Sequence, residues 1–307
     1  MSLLFLAIEI GGTKLQLFTG DAAGNIHQRH RFAVDPARGG EGIRAQIAAA
    51  LREILTISRP AAIGVGFGGP VDWRTGRIGC SHQVAGWHDF ELGRWLAELA
   101  ACPVAVDNDA NVATLGEAHA GAGRGGNPVF YVTLGSGVGG GLVVNGAIYH
   151  GATPGEAEIG HLRLDRAGTI VEQRCSGWAV DQRLRELRRT APDGALARML
   201  DEMPGGEAKH LPAALAAGDP EAQRILDETA ADLAFGLSHV THLFHPEVIV
   251  LGGGLALIGE PLRAAVEGAL RGFVMEAFAP GPKVRLAELK EDAVPVGAFQ
   301  LASGLVR

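Results

Sequence analysis

The 307-residue sequence is short of three things: cysteine, positive charge and long apolar runs. Its cysteines, Cys80, Cys102 and Cys175, are odd in number, far apart and never in a Cys-x-x-Cys pair. That pattern excludes a disulfide framework and the common thiolate spacing of a zinc site, and a reducing cytoplasm is the expected compartment. Lys and Arg total 27 against 34 Asp and Glu, for a net charge of −7. A nucleic-acid surface needs clustered cations to displace counterions, so no such partner is expected. No stretch reaches the roughly 18 apolar residues that a membrane span requires. Residues 3–8 are apolar, but they are few, lack a basic flank and run into Glu9. They read as a buried strand and not as a secretory leader.

What the chain has in excess is glycine, 45 residues, clustered just after apolar runs. Such positions serve backbone turns with positive φ, or the close approach of backbone to a ligand. The length predicts about two domains, each with its own core.

The most informative stretch runs from Val104 to Ala118. It opens as a short apolar strand, breaks at Asp107, Asn108 and Asp109, and continues at helical spacing. An Asp or Asn there is a natural helix N-cap. The same place, the carboxyl end of a strand in an open α/β sheet, is also where ligands bind. Read locally, these residues are either caps or a substrate-facing carboxylate.

Upstream, residues 3–10 and 15–19 are expected strands joined by Gly11, Gly12, Thr13 and Lys14, with a third strand over 26–34. A glycine turn of this kind can aim amides and a hydroxyl at an anion, although hairpins also use glycine for purely steric reasons. It is not a P-loop, for the GxxxxGK[ST] spacing is absent. A helix is expected over 40–57, a buried strand over 61–67, a polar loop over 68–72, a short hairpin over 73–78 and a helix over 90–100. The second half repeats the plan. A strand over 128–134 leads into Gly135, Ser136 and Gly137 with three more glycines to Gly141, followed by a strand over 142–144. A third glycine run, Gly252, Gly253 and Gly254, follows the apolar strand from Val248 and could admit a flat base. Helices are expected over 176–189, 195–200, 220–244 and 295–305, and a last strand over 283–289. His239, His242 and His245 drift around a helix with no carboxylate near but Glu247, so they read as packing residues.

These motifs together resemble the ROK family of bacterial sugar kinases and repressors. The resemblance rests on Glu9-Ile10-Gly11-Gly12-Thr13-Lys14, on Asn108-Asp109-Ala110-Asn111 with Gly116-Glu117, and on Thr133 to Gly141. Glu156-Ala157-Glu158-Ile159-Gly160-His161 and Ile249 to Gly254 complete it, in matching order from residue 3 to about 304. It implies an α/β, two-domain sugar-kinase/actin-like ATPase fold with an interdomain cleft. The first domain would be residues 1–120 completed by a C-terminal helix at 294–307, and the second 121–293 with helical insertions. It also implies an ATP- and Mg2+-dependent kinase acting on the 6-hydroxyl of a hexose, most simply glucose, as a cytoplasmic homodimer.

Residue by residue, Asp109 resembles the family's general base, and Asn108, Glu158, His161, Glu172 and Gly69 its sugar contacts. Gln83 stands where the family usually has asparagine, which puts fructose, mannose and N-acetylhexosamines beside glucose as candidate acceptors. Gly11, Gly12, Thr13, Lys14, Gly135, Ser136 and Gly137 are the implied phosphate contacts, with Gly253 and Gly254 at the nucleoside. Glu9 replaces an aspartate that helps hold magnesium, often through water; one extra methylene keeps the charge and shifts the geometry. The family's zinc-binding cysteine loop is reduced to Cys175, and four N or S donors cannot be assembled from what is left, so no zinc is expected. Family repressors place a helix-turn-helix before the first strand, and here that strand begins at Leu3, so DNA binding is not expected. A catalytically weak sugar-binding protein is the remaining alternative.

Overall fold

The computed structural model describes residues 3–81, 83–153, 157–200 and 205–306. Glu156, which figured in the motifs above, lies outside them. The chain divides into two compact units, residues 1–124 with 141–157 and 291–307, and residues 125–140 with 158–290. Residues 141–157 thus group with the first unit, where the sequence reading counted them in the second half.

The first unit is built on a five-stranded sheet ordered β3-β2-β1-β4-β7. Its strands are β1 (Phe5–Ile10), β2 (Lys14–Gly20), β3 (Ile26–Ala33), β4 (Ala62–Phe67) and β7 (Val104–Asn108). β1 pairs antiparallel with β2 and parallel with β4, and β4 parallel with β7. Both faces are covered, which is why β4 reads as an unbroken apolar run and β1 as one broken only by Glu9. Successive side chains alternate between faces. Leu6, Ile8 and Ile10 join the core with α1 (Gly39–Ile57) and α2 (Leu92–Ala100). Phe5 and Ala7 face the other way, onto Val112 of α3 (Asp109–Ala120) and Ala298 and Phe299 of α10 (Ala293–Gly304). α10 can come this close because a Cβ on Gly64 of β4 would lie 1.9 Å from the Ala298 carbonyl oxygen. Likewise a Cβ on Gly297 would lie 1.8 Å from the Val112 oxygen. The C-terminal helix is therefore part of the first unit's core, and begins two residues before the expected start. The short hairpin expected over 73–78 is a two-stranded one, β5 (Val71–Asp72) and β6 (Arg77–Ile78), whose first strand starts two residues earlier, in the stretch expected as a loop.

The second sheet is ordered β10-β9-β8-β11-β12, from β8 (Val129–Leu134), β9 (Val138–Val144), β10 (Ala147–Ile148), β11 (Val248–Gly252) and β12 (Lys283–Leu286). β11 runs parallel to both β8 and β12. β9 starts four residues earlier than expected, so Gly139, Gly140 and Gly141 lie in a strand and the turn is confined to Gly135, Ser136 and Gly137. β12 ends at Leu286 instead of 289. The helices are α4 (Val171–Cys175), α5 (Gly177–Thr190), α6 (Ala195–Met199), α7 (Leu211–Ala216), α8 (Pro220–Phe244) and α9 (Glu260–Arg271). α8 begins at its proline because Asp219 caps it, accepting from the amides of Glu221 and Ala222. Near its other end, His242 accepts from the Met275 amide at 3.1 Å and His245 stacks on Phe278 at 3.9 Å. The three-histidine spacing is packing.

Candidate active site

In the first unit the site starts where β7 hands over to α3. Asn108 is still in the strand, and its Oδ1 caps the helix, accepting from Ala110 and Asn111 amides at 2.9 and 3.3 Å. Its Nδ2 donates to the Gly69 oxygen at 3.3 Å. Capping and substrate reading are thus compatible for Asn108 only through the amide nitrogen's second hydrogen. With the cap on Asn108, Asp109 becomes the first helical residue and its carboxylate is free of that duty.

Asp109 is pushed up to about 7 by burial first, and then by the neighbouring Glu9 carboxylate. The Ala110 amide, its own amide and Lys14 pull the other way without cancelling those effects. A Cβ on Gly68 would lie 3.3 Å from Asp109 Oδ2, 3.4 Å from the Ile10 oxygen and 3.8 Å from the Gly11 Cα. Gly68 therefore separates the carboxylate from the first glycine turn by the width of a backbone. The sequence reading did not single it out.

Glu9 is nearly buried and both of its oxygens are engaged: Oε1 with Lys14 Nζ at 3.0 Å, Oε2 with Gln16 Nε2 at 2.8 Å. Gln16 is the cross-strand partner of Glu9, a pairing that hairpin register alone would have supplied. In the turn itself the Gly11 amide donates to the Lys14 oxygen at 3.0 Å. Two carboxylates, Glu9 and Asp109, beside the first glycine turn fit a hard cation that also takes phosphate oxygens. Glu9's oxygens already engage Lys14 and Gln16, so a directly coordinated cation would have to share or displace those partners.

Gln83 is exposed and lies over this turn: a Cβ on Gly12 would fall 1.6 Å from its Oε1. The loop carrying it is pinned by Trp87, buried edge-on against Phe67 at 5.2 Å.

Behind Asn108, buried Asp107 accepts from the Asn108 amide at 2.8 Å and from Asn111 Nδ2 at 3.0 Å through one oxygen. Its other oxygen meets His150 Nε2, and that ring stacks on Trp73 at 4.1 Å. Neither His150 nor Trp73 carries any local sequence signal.

In the second unit, the Gly135 amide donates to the Gly137 oxygen at 2.9 Å, and the Gly177 amide to the Gly135 oxygen at 2.7 Å. The glycine turn is thereby tied to the start of α5. Glu172 accepts from the Val138 amide at 2.9 Å, and a Cβ on Gly137 would lie 2.5 Å from the same oxygen, Oε2. One of its oxygens thus braces the turn. Glu158 and His161 are exposed at the two ends of a short turn in which a Cβ on Gly160 would lie 2.2 Å from the Val138 oxygen. Glu172 and the turn that carries Glu158 and His161 thus both pack on the backbone of Val138. Gly253, at φ +82°, packs on Leu134: an added Cβ would lie 2.6 Å from its backbone, whereas Gly254 faces open space. Cys175, the one thiol in the former cysteine loop, is buried and pushed up to about 12 by that burial, and it donates to the Thr229 oxygen. A thiol held protonated in this way is a poor metal ligand.

Comparison with known proteins adds an independent line. The ROK family model matches residues 5–304. A glucokinase of Halalkalibacterium halodurans is 32% identical over 308 aligned residues, covering 95% of this chain and 93% of that protein. A ROK glucokinase of Streptomyces griseus, solved with glucose and AMPPNP, superposes with a TM-score of 0.83 at 30% identity, over 98% of this chain and 99% of that one. A ROK hexokinase of Thermus thermophilus gives 0.81 at 30% identity, over 99% of each.

Proposed function

The chain belongs to the ROK family, and from that footing we propose that it is an ATP-dependent hexose kinase acting on the 6-hydroxyl of glucose. Supporting the acceptor and donor are the Halalkalibacterium halodurans relative, which is a glucokinase, and the Streptomyces griseus structure, which holds glucose and AMPPNP. The observation that carries the reading is Asp109. A carboxyl at about 7, at the carboxyl end of a strand and one glycine away from the first glycine turn, is poised to give and take protons near neutral pH.

In the proposed reaction Asp109 accepts the proton of the 6-hydroxyl as that oxygen bonds to the γ-phosphorus. The bond from that phosphorus to the β–γ bridging oxygen breaks, and ADP leaves with the electron pair. Phosphoryl transfer asks the protein for position and charge neutralisation more than for covalent chemistry. The amides of Gly12, Thr13, Ser136 and Gly137 are the proposed phosphate donors, with Lys14 as the point charge beside the first turn. Glu158, His161, Glu172 and the Asn108 amide are the proposed hydroxyl readers, since a polar group left unpaired once a bound sugar covers it rejects the wrong sugar. Gln83, over the turn at Gly12, adds an amide on the phosphate side. Magnesium, when bound with the nucleotide, neutralises phosphate charge; Glu9 would hold it through water. Residues 1–124 with 141–157 and 291–307, and the remaining residues, are the two proposed domains of a cytoplasmic, self-associating protein, each supplying both phosphate and sugar contacts.

The test is a coupled ADP-release assay over glucose, mannose, fructose, N-acetylglucosamine and N-acetylmannosamine. Glucose should give the highest kcat/KM, and Asp109→Asn should lower it about 10²- to 10⁴-fold without loss of glucose binding. No turnover with any sugar would sink the kinase reading. Measurable sugar binding in that case would leave a sensor.

A further inference from the structure

A cavity of about 610 Å³ opens beside the second glycine turn, lined among others by Ser136, Glu172, Trp178, Gln182, Arg185 and Gly205. Its most unusual wall is Trp178, an indole 68% exposed in the first turn of a helix. Since the Gly177 amide is bonded to the Gly135 oxygen, Trp178 is fixed beside the turn that is proposed to hold phosphate. Trp178, Gln182 and Arg185 follow at i, i+4 and i+7, so they share one face of α5. Seven residues of helix carry that face about 10 Å away from the turn. This is the reach of a nucleoside, not of a phosphate.

The charges point the same way. Arg185 Nη1 is taken by both oxygens of Glu207, at 2.9 and 3.0 Å. Asp181, also in the cavity wall, is spent on the amides of Gly206 and Ala208 at 3.1 and 2.8 Å. With Glu172 acidic and Arg185 neutralised, the described residues that line the cavity beyond Ser136 offer no spare cation. A long inorganic polyanion would meet no counter-charge there, while a neutral flat base would meet an aromatic face. The exposed Gln182 makes no hydrogen bond to any described residue, and an amide can both donate to and accept from a base edge.

We infer that the base of the nucleoside triphosphate donor stacks on Trp178, with Gln182 at the base edge, and that inorganic polyphosphate is not a donor. The inference rests on the kinase reading above. Stacking of a base on an aromatic side chain corresponds to a roughly 5- to 150-fold change in affinity on truncation to alanine.

The test uses the full chain. Trp178→Ala should raise KM for ATP about tenfold or more, Trp178→Phe should restore it to within about threefold, and KM for glucose should stay put. ADP should quench the wild-type indole emission, inorganic tripolyphosphate should not, and Trp178→Phe should lose the response. This arm stands even where the alanine variant fails to fold. A KM for ATP within twofold of wild type, with or without altered self-association, overturns the inference, as does an absent ADP quench. Turnover with polyphosphate within tenfold of that with ATP overturns the donor half. An inactive wild type still quenched by ADP would instead sink the kinase reading alone.

Discussion

His150 Nε2 lies 2.5 Å from Asp107 Oδ2, in a pair whose side chains are only 14% and 4% exposed. The other Asp107 oxygen takes the Asn108 amide and the Asn111 side chain. The last strand residues before Asp109 are thus clamped from the sheet side by a histidine far along the chain, itself stacked on Trp73. A base that must meet a hydroxyl within a few tenths of an ångström needs such support.

Removing one partner of a buried, charge-assisted bond leaves the other desolvated and unpaired. His150→Ala should therefore destabilise the protein by about 2–3 kcal/mol in urea unfolding. Added to Asp107→Asn, it should cost clearly less than the sum of the two single changes. Additive losses, or a His150→Ala cost under about 0.5 kcal/mol, would show that the clamp holds nothing.

Asp109 carries a stability prediction whose sign can be worked out. Its carboxyl moves from an ordinary 3.8 to about 7 on folding. Between those values the folded chain holds a proton that the unfolded chain has released, so stability falls as pH rises through the window. Some three pH units correspond to a ceiling of about 4 kcal/mol, reached above pH 7. Asp109→Asn has nothing to titrate. Measured without nucleotide or magnesium, its stability gain over wild type should be at least about 2 kcal/mol larger at pH 8 than at pH 4. A gain equal at both pH values would show that the carboxyl is not desolvated.

The architecture was legible where burial on two faces or a cap fixes a pattern. β4, and β1 apart from Glu9, read as continuous apolar strands because helices cover both sides. The start of α3 was read as falling at the polar residues Asp107, Asn108 and Asp109, and the structure puts the cap on Asn108, which does what Asn does before a helix. The glycine runs were legible as backbone devices but not as which device. Gly135 and Gly137 make a turn, whereas Gly141 lies in a strand where its missing Cβ admits Thr114, whose Oγ1 would be 2.2 Å from it. What could not be read was any partnership without local spacing. His150 is 43 residues from Asp107, and no periodicity joins them. Gln83 was read as a sugar contact by position, yet its reach over Gly12 depends on how the loop pinned by Trp87 folds back.

Zinc gives a plain analytical test. The Cys175 thiol is pushed up to about 12 and faces the Thr229 oxygen, and among the described residues no three His, Cys, Asp or Glu side chains are grouped for a metal. Elemental analysis of protein purified without chelator should find well under one zinc per chain. One equivalent would mean that the shortened loop still assembles a site.

The sharpest test of the electrostatics is Glu9→Gln. The Glu9 charge is the second cause, after burial, of the raised Asp109 carboxyl, and Glu9 also occupies Lys14 at 3.0 Å. Replacing it with the amide removes a repulsion and frees a cation, and both changes favour ionised Asp109. In kcat/KM against pH, the wild type should rise with a midpoint near 7, as the base loses its proton. Glu9→Gln should shift that midpoint to lower pH by roughly half a unit to one unit, whatever the change in its plateau. The plateau itself should fall, because an amide holds a magnesium-bound water less well than a carboxylate. Loss of the metal alone would lower the plateau and leave the midpoint where it was. An unmoved midpoint would therefore separate Glu9 from Asp109 and return the proton acceptor's tuning to burial alone.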